Sequence, residues 1–192
     1  MLFRSAGFET AFIGGLSMGG YVAMAMLRVS PERVGGLILM DTKAGADDPS
    51  RRATRMQVAA SVRESGSVEA LARTMPVTLV SDASELRHPG LRESVTDHIR
   101  LASPEAVAWC QEAMASRPDS LTTLRSSGAL PSLVVCGADD QVTPVTDHEQ
   151  LVAALRDAGG RPEFVVIPEA GHLPPLEPAA RVNRALLEFL QA

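Results

Sequence analysis

The order of apolar runs along the chain predicts an α/β fold: a mostly parallel sheet with flanking helices and one helical insertion. Three observations lead to it. Short apolar runs recur at residues 10–14, 34–40, 132–136 and 163–167. Helical stretches far longer than a hairpin turn separate them, as parallel strands joined by crossovers require. Between the second and third runs, residues 44–127 carry helical spacing and little strand signal.

The elements follow in order. Residues 10–14 read as a buried strand. Residues 18–29, rich in Ala, Met and Leu, read as a helix stopped by Ser30-Pro31, and residues 34–40 as a second strand. In the inserted segment, residues 49–64 place Ala53, Met56, Ala59 and Ala60 at helical spacing and end at Ser65-Gly66. A short helix over 68–75 stops before Pro76, and another covers 90–101. Ser103-Pro104-Glu105 starts a further helix, with serine as cap and proline in the first turn, running to about Ser116. One more is expected over 118–125. Residues 132–136 return to strand. An amphipathic helix over 146–158 closes at Gly159-Gly160. Residues 163–167 form the last strand. The last helix, 178–190, is expected to bury Val182, Leu186, Leu187 and Leu190 on one face. Residues 1–43 and 128–192 thus make one core, and 44–127 an insertion too sparse in large apolar residues to hold a core of its own.

Composition limits the function classes. A chain of 192 residues suits one domain, and its 45% hydrophobic and 21% charged residues suit a globular protein. The net charge of -5 and the lack of a basic block argue against nucleic acid as a partner. No apolar run approaches the ~18–20 residues that span a bilayer, so no membrane partner is expected. Cys110 and Cys136 lie in apolar contexts and are expected as buried free thiols, which makes a cytoplasmic setting the default.

The chemistry gathers in three loops that follow strands. Gly15-Leu16-Ser17-Met18-Gly19 is a G-x-S-x-G pattern between a strand and a helix. A sharp turn there exposes the serine hydroxyl, and the glycines let the backbone bend. Asp139 and Asp140 follow the third strand, and His172 follows the fourth. In a parallel sheet the C-terminal strand ends share one edge, so these residues converge. A serine hydroxyl needs a base, histidine suits that task, and a carboxylate fixes the histidine tautomer.

These motifs resemble the α/β-hydrolase family, in its enol-lactonase and esterase-like branch. Gly14 to Tyr21 is similar to its nucleophile elbow. Gly137 to Pro144 resembles its acid loop, G-x-x-D-x-x-x-P, and Pro168 to His172 its histidine loop. The resemblance implies Ser17 as nucleophile, His172 as base and Asp140 as acid, with Asp139 a turn residue. It implies the Met18 N–H as an oxyanion donor, a lid over 44–127, and no cofactor or metal. Asp41, after the second strand, is a rival acid, since some relatives carry the carboxylate there; shaping the lid entrance is its expected role. His88, His98 and His148 match no motif and are expected on the lid or the surface. Trp109 and Met114 are expected on a lid-helix face, packing in the core in preference to touching substrate.

The implied function is hydrolysis of a small carboxylic ester or lactone. An enol-lactone is one candidate, and carbon–carbon bond hydrolysis or perhydrolysis are open on the same residues. An acyltransferase is one alternative. The other follows from position: the family places strands, and a second oxyanion donor, ahead of the elbow, and here residues 1–7 resemble only the last turn of the helix that precedes it. The chain therefore reads as a truncated α/β-hydrolase with an open edge at its first strand. On that reading it is an inactive fragment serving as an interaction module, or a homodimer through the exposed first strand.

Overall fold

The computed structural model describes residues 7–191. β1 (Ala11–Leu16), α1 (Met18–Val29) and β2 (Val34–Met40) form the first strand–helix–strand unit. The helical segment follows, as α2 (Pro49–Ser65), α3 (Glu69–Leu79), α4 (Asp82–Arg87), α5 (Leu91–Arg100), α6 (Pro104–Ser116) and α7 (Leu121–Arg125). The chain then returns to the sheet through β3 (Ser132–Gly137), α8 (Val145–Asp157), β4 (Glu163–Ile167) and α9 (Ala179–Gln191).

All three strand pairs are parallel, and spatial order follows chain order, β1-β2-β3-β4. The register sets Ile13 beside Leu37, Leu39 beside Val134 and Val135 beside Val165. Side chains alternate between two faces. Leu37, Leu39 and Val134 join Met24 and Leu27 of α1 and Leu151 and Leu155 of α8. Ile38, Leu133 and Val135 join Ile167 and, from α9, Val182 and Phe189 on the other face. This two-sided cover explains why the central strands read as unbroken apolar runs. β1 is an edge strand. Its Phe12 is partly exposed, yet its ring meets that of Phe189 edge-on at 5.6 Å. Among the described residues no helix is long and apolar enough to cross a membrane.

Several elements depart from expectation. α3 does not stop at Pro76 but runs through it to Leu79, with Pro76 itself buried. α4 is a helix that residue periodicity did not announce; Ser81 caps it, its side chain accepting the Ser84 N–H at 3.0 Å. On α9 the buried positions are Val182, Ala185 and Phe189, while Leu187 and Leu190 are exposed; the apolar face is rotated by about one residue because Phe189, not Leu190, reaches the sheet. Trp109 is 64% exposed rather than packed, since the contact between α2 and α6 is built from Ala59, Val62 and Ala108. Cys136 is buried, but Cys110 is only half-buried. The helical turn expected ahead of β1 lies outside the described residues.

Candidate active site

The C-terminal strand ends meet along one edge, and their hydrogen bonding continues into the loops. Ser17 N–H donates to Met40 O (2.9 Å), Asp41 N–H to Val135 O (3.0 Å) and Ala138 N–H to Ile167 O (2.9 Å). These bonds hold the ends of neighbouring strands in register where the loops begin.

Ser17 sits at φ 52°, ψ −113°, a backbone state that a residue with a side chain rarely adopts. Surrounding bonds stabilise it: the Thr42 hydroxyl donates to Ser17 O at 2.8 Å and Gly20 N–H donates to the same oxygen at 3.0 Å. The turn is so tight that a Cβ on Gly15 would lie 2.0 Å from the Gly19 carbonyl carbon, which is why glycine stands there. Met18 is the first residue of α1, so its N–H has no acceptor within the helix and lies at the positive end of the helix dipole.

His172 lies in the loop after β4 and is buried. Its Nε2 is 2.8 Å from Ser17 Oγ, and its Nδ1 is 2.8 Å from Asp140 Oδ2. Asp140, after β3, is held by its own turn. Oδ1 accepts from Val142 N–H (2.7 Å) and Thr143 N–H (3.1 Å), and Oδ2 accepts from the Thr143 hydroxyl (2.6 Å). Burial pushes the Asp140 carboxyl upward, but hydrogen bonds from His172 and Thr143 outweigh it and hold the group below its ordinary range. An ionised Asp140 can only accept, so His172 Nδ1 carries the proton and Nε2 accepts from the Ser17 hydroxyl. Ser17, His172 and Asp140 are therefore brought together. Asp139 is exposed, with its N–H on Ala170 O at 2.8 Å.

Asp41 is also drawn in, though in a different state. It is fully buried, with φ 42°, and Oδ1 accepts Gly137 N–H at 2.8 Å. Potential ligand atoms of Asp41, Asp140 and His172 lie within 4.8 Å of one another. Burial, reinforced by the Asp140 charge, pushes Asp41 up to about 9, so it is neutral at pH 7. His172 Nδ1 lies on Asp140 Oδ2, whereas Asp41 gives its Oδ1 to the Gly137 N–H. The oxygens of Asp140 are also committed to N–H and O–H donors, so the trio reads as a hydrogen-bonded group rather than a metal cage.

His148 is not a lid or surface residue. It lies on α8 with no exposure, accepts Thr42 N–H at Nε2 (3.0 Å) and faces Pro144 O with Nδ1 (3.2 Å). Burial lowers its pKa, keeping it neutral. It supports Thr42, which in turn supports the strained Ser17. His88 and His98 are exposed in the helical segment. The sequence offers no functional reading for Thr42 or Glu177 and gives His148 the wrong setting. Only the Pro-Leu-Glu-Pro run around Glu177 marks any of them, and it has no spacing signature.

The comparisons with known proteins agree with this architecture. The description "Alpha/beta hydrolase family" matches residues 4–185. A 2-hydroxy-6-oxononadienedioate/2-hydroxy-6-oxononatrienedioate hydrolase of Cupriavidus pinatubonensis is 31% identical over 189 residues, covering 95% of this chain and 62% of that protein. A thermophilic esterase from Thermogutta terrifontis, solved with malate bound, superposes with a TM-score of 0.91 at 38% identity, covering 99% of this chain and 68% of that one. The enol-lactonase from Burkholderia xenovorans shares the fold, with a TM-score of 0.84 at 22% identity over 100% of this chain and 69% of that one. The chain spans less than two thirds of the length of the curated hydrolase it matches. With a parallel sheet, a strained serine at its first strand end and this match along nearly its whole length, the chain belongs to the alpha/beta hydrolase family.

Proposed function

We propose that this chain is a serine hydrolase acting on a small carboxylic ester or lactone. The observation that carries the reading is the unbroken line from Ser17 Oγ through both His172 nitrogens to Asp140, with 2.8 Å at each step. His172 Nε2 takes the Ser17 proton as Oγ attacks the carbonyl carbon. The Met18 N–H faces the developing oxyanion, and Asp140 stabilises the imidazolium. His172 then returns the proton to the leaving alkoxide, and a water activated by the same nitrogen releases the acid. No step needs a metal or cofactor. Residues 44–127 act as the lid over the core formed by 1–43 and 128–192.

The esterase likeness at 38% identity favours an ester substrate. The curated hydrolase at 31% identity supports carbon–carbon bond hydrolysis on the same three residues as a second reading. At the β1 edge, exposed Phe8 and half-exposed Phe12 favour a contact with a second copy, which a solution mass measurement decides.

A fluorophosphonate probe tests the function directly. The chain is expected to label, Ser17→Ala to lose labelling completely and His172→Ala to label weakly. A chain that stays unlabelled, while turning over neither p-nitrophenyl esters nor lactones, would sink the reading.

A further inference from the structure

The loop that carries His172 has no regular element between Ile167 and Ala179. No strand ladder or helix therefore holds the residues on either side of the histidine, and their N–H groups need other acceptors. Glu177 supplies them. Its side chain is buried, and one carboxylate collects three main-chain donors. Gly171 N–H lies 3.0 and 2.9 Å from its two oxygens, Leu173 N–H lies 3.1 Å from Oε1, and Ser81 N–H lies 3.0 Å from Oε2. Gly171 and Leu173 are the two neighbours of His172. The third donor, Ser81, comes from the turn between α3 and α4.

The same turn grips the loop from the other direction. His172 N–H donates to Leu79 O at 2.8 Å. Glu169, at φ +62°, offers its carbonyl to the Ser81 hydroxyl (2.8 Å), the Ser84 hydroxyl (3.1 Å) and Arg87 Nη2 (3.2 Å). The two segments run so close that a Cβ on Gly171 would lie 2.8 Å from both Leu79 O and Ser81 N. A buried carboxylate is costly unless fully hydrogen-bonded, and charge-assisted bonds to it are among the stronger ones. This carboxylate meets that condition by using the two peptide groups that set where the histidine ring points.

We propose that Glu177 is the positioning residue for His172: its carboxylate binds both flanks of the histidine and the α3–α4 turn, and so sets the reach of the ring to Ser17. This rests on the proposed role of Ser17, His172 and Asp140. It also makes the helical segment part of the machinery that orients the base. Glu177 touches no reacting atom and acts only through the main chain of the loop.

The test uses the whole chain. Glu177→Gln keeps the size but replaces one acceptor oxygen with an N–H donor, which opposes a main-chain N–H. Turnover of p-nitrophenyl acetate is expected to fall about 10- to 100-fold in kcat, the range that an ångström-scale misplacement of a catalytic group gives, with KM held. Glu177→Asp, which keeps the charge on a shorter arm, should recover part of the loss. In histidine-labelled protein the Nδ1–H proton resonance of His172 should move or broaden in Glu177→Gln and return toward its native position in Glu177→Asp. Native kcat and an unmoved His172 resonance in a folded Glu177→Gln would overturn the proposal. If that variant does not fold, Glu177→Asp decides in its place: reduced kcat at constant KM supports the role, and native kcat with an unmoved resonance overturns it. Should the unmodified chain itself be inert toward ester and probe, the hydrolase reading fails, and the His172 resonance still decides for or against Glu177.

Discussion

The loops at the strand ends and the helical segment between β2 and β3 are held by different forces. In the loops, main-chain groups and buried polar side chains do the holding. Asp41, Thr42, Asp140, Thr143, His148 and His172 all lie below 6% exposure, and the hydrogen bonds described above tie each of them to another loop or to its own turn. The helices are joined instead by small side chains and exposed charges. Ala59, Val62 and Ala108 form their cluster, and Arg63 spans from α2 to Glu105 and Glu112 on α6. Asp47 is the exception: this buried carboxylate meets Lys43, Arg55 and Arg117, joining the β2 exit to α2 and to the end of α6. The contrast teaches where precision resides. A position with several directional partners has one tolerated geometry, whereas a surface summed from weak contacts can shift without loss. The helical segment is fastened to the core by Asp47, by the α3–α4 turn, by Arg51 Nη2 on Val142 O (3.0 Å) and by the buried Leu124 of α7, and between those points its shape rests on the weaker contacts.

The largest effect should come from the loops. Asp140→Asn keeps the shape of the acid, but its amide can present an N–H to His172 and favours the wrong tautomer. A fall of about 10⁴-fold in kcat is expected, by analogy with the same change in other Ser-His-Asp sites. The check is single-substrate kinetics with a p-nitrophenyl ester, beside Asp41→Asn as the control. Asp41 is already neutral, so that variant should stay within about threefold of native. A larger loss in Asp41→Asn than in Asp140→Asn would reverse the assignment of the acid.

The same contrast governs what could be read from residue order. Ser17, Asp140 and His172 stand out because each follows a strand within a turn-like motif, and a parallel sheet forces such positions to one edge. The strands themselves were legible because burial on both faces leaves continuous apolar runs. His148 was misplaced since its burial depends on the Thr42 N–H needing an acceptor, a relation between residues 106 apart that no local pattern encodes. Glu177 is hidden for the same reason: its partners are peptide groups, which every residue has. In the helical segment, α4 is only six residues long, too short to show a period, and Pro76 is accommodated inside α3 despite its missing N–H. Trp109 shows that a large apolar residue on a helix need not face inward when alanine lets the helices come close.

Asp41 sharpens the comparison through pH. Burial raises its folded pKa to about 9, from the ordinary aspartate value of 3.8. Between those values the unfolded chain has released the proton and the folded chain keeps it. The unfolded state thus binds fewer protons, and the Asp41 contribution to stability falls as pH rises through that window, opposite to an ion-paired carboxylate. Asp41→Asn removes this dependence while keeping an acceptor for Gly137 N–H. Its melting temperature should match that of the native chain near pH 4 and exceed it increasingly toward pH 8. Parallel melting curves across that range would mean that Asp41 is ionised in the fold.

The smallest effect belongs to the helical surface. Arg63 is the most connected of the exposed cations there, with bonds to the exposed Glu105 and the half-buried Glu112. Exposed pairs gain little because water competes for each charge and long side chains lose freedom on pairing. Arg63→Ala should lower the melting temperature by no more than about 2–4 °C for a chain of this size. Salt at 1 M should erase the difference, since screening then acts within about 3 Å. Ester turnover should be unchanged, because the contact lies between α2 and α6 and neither helix donates a group to Ser17, His172 or Asp140. A large loss of turnover in Arg63→Ala would show that the α2–α6 surface transmits its geometry to the strand-end loops, and the division between a precise edge and a tolerant helical segment would have to be given up.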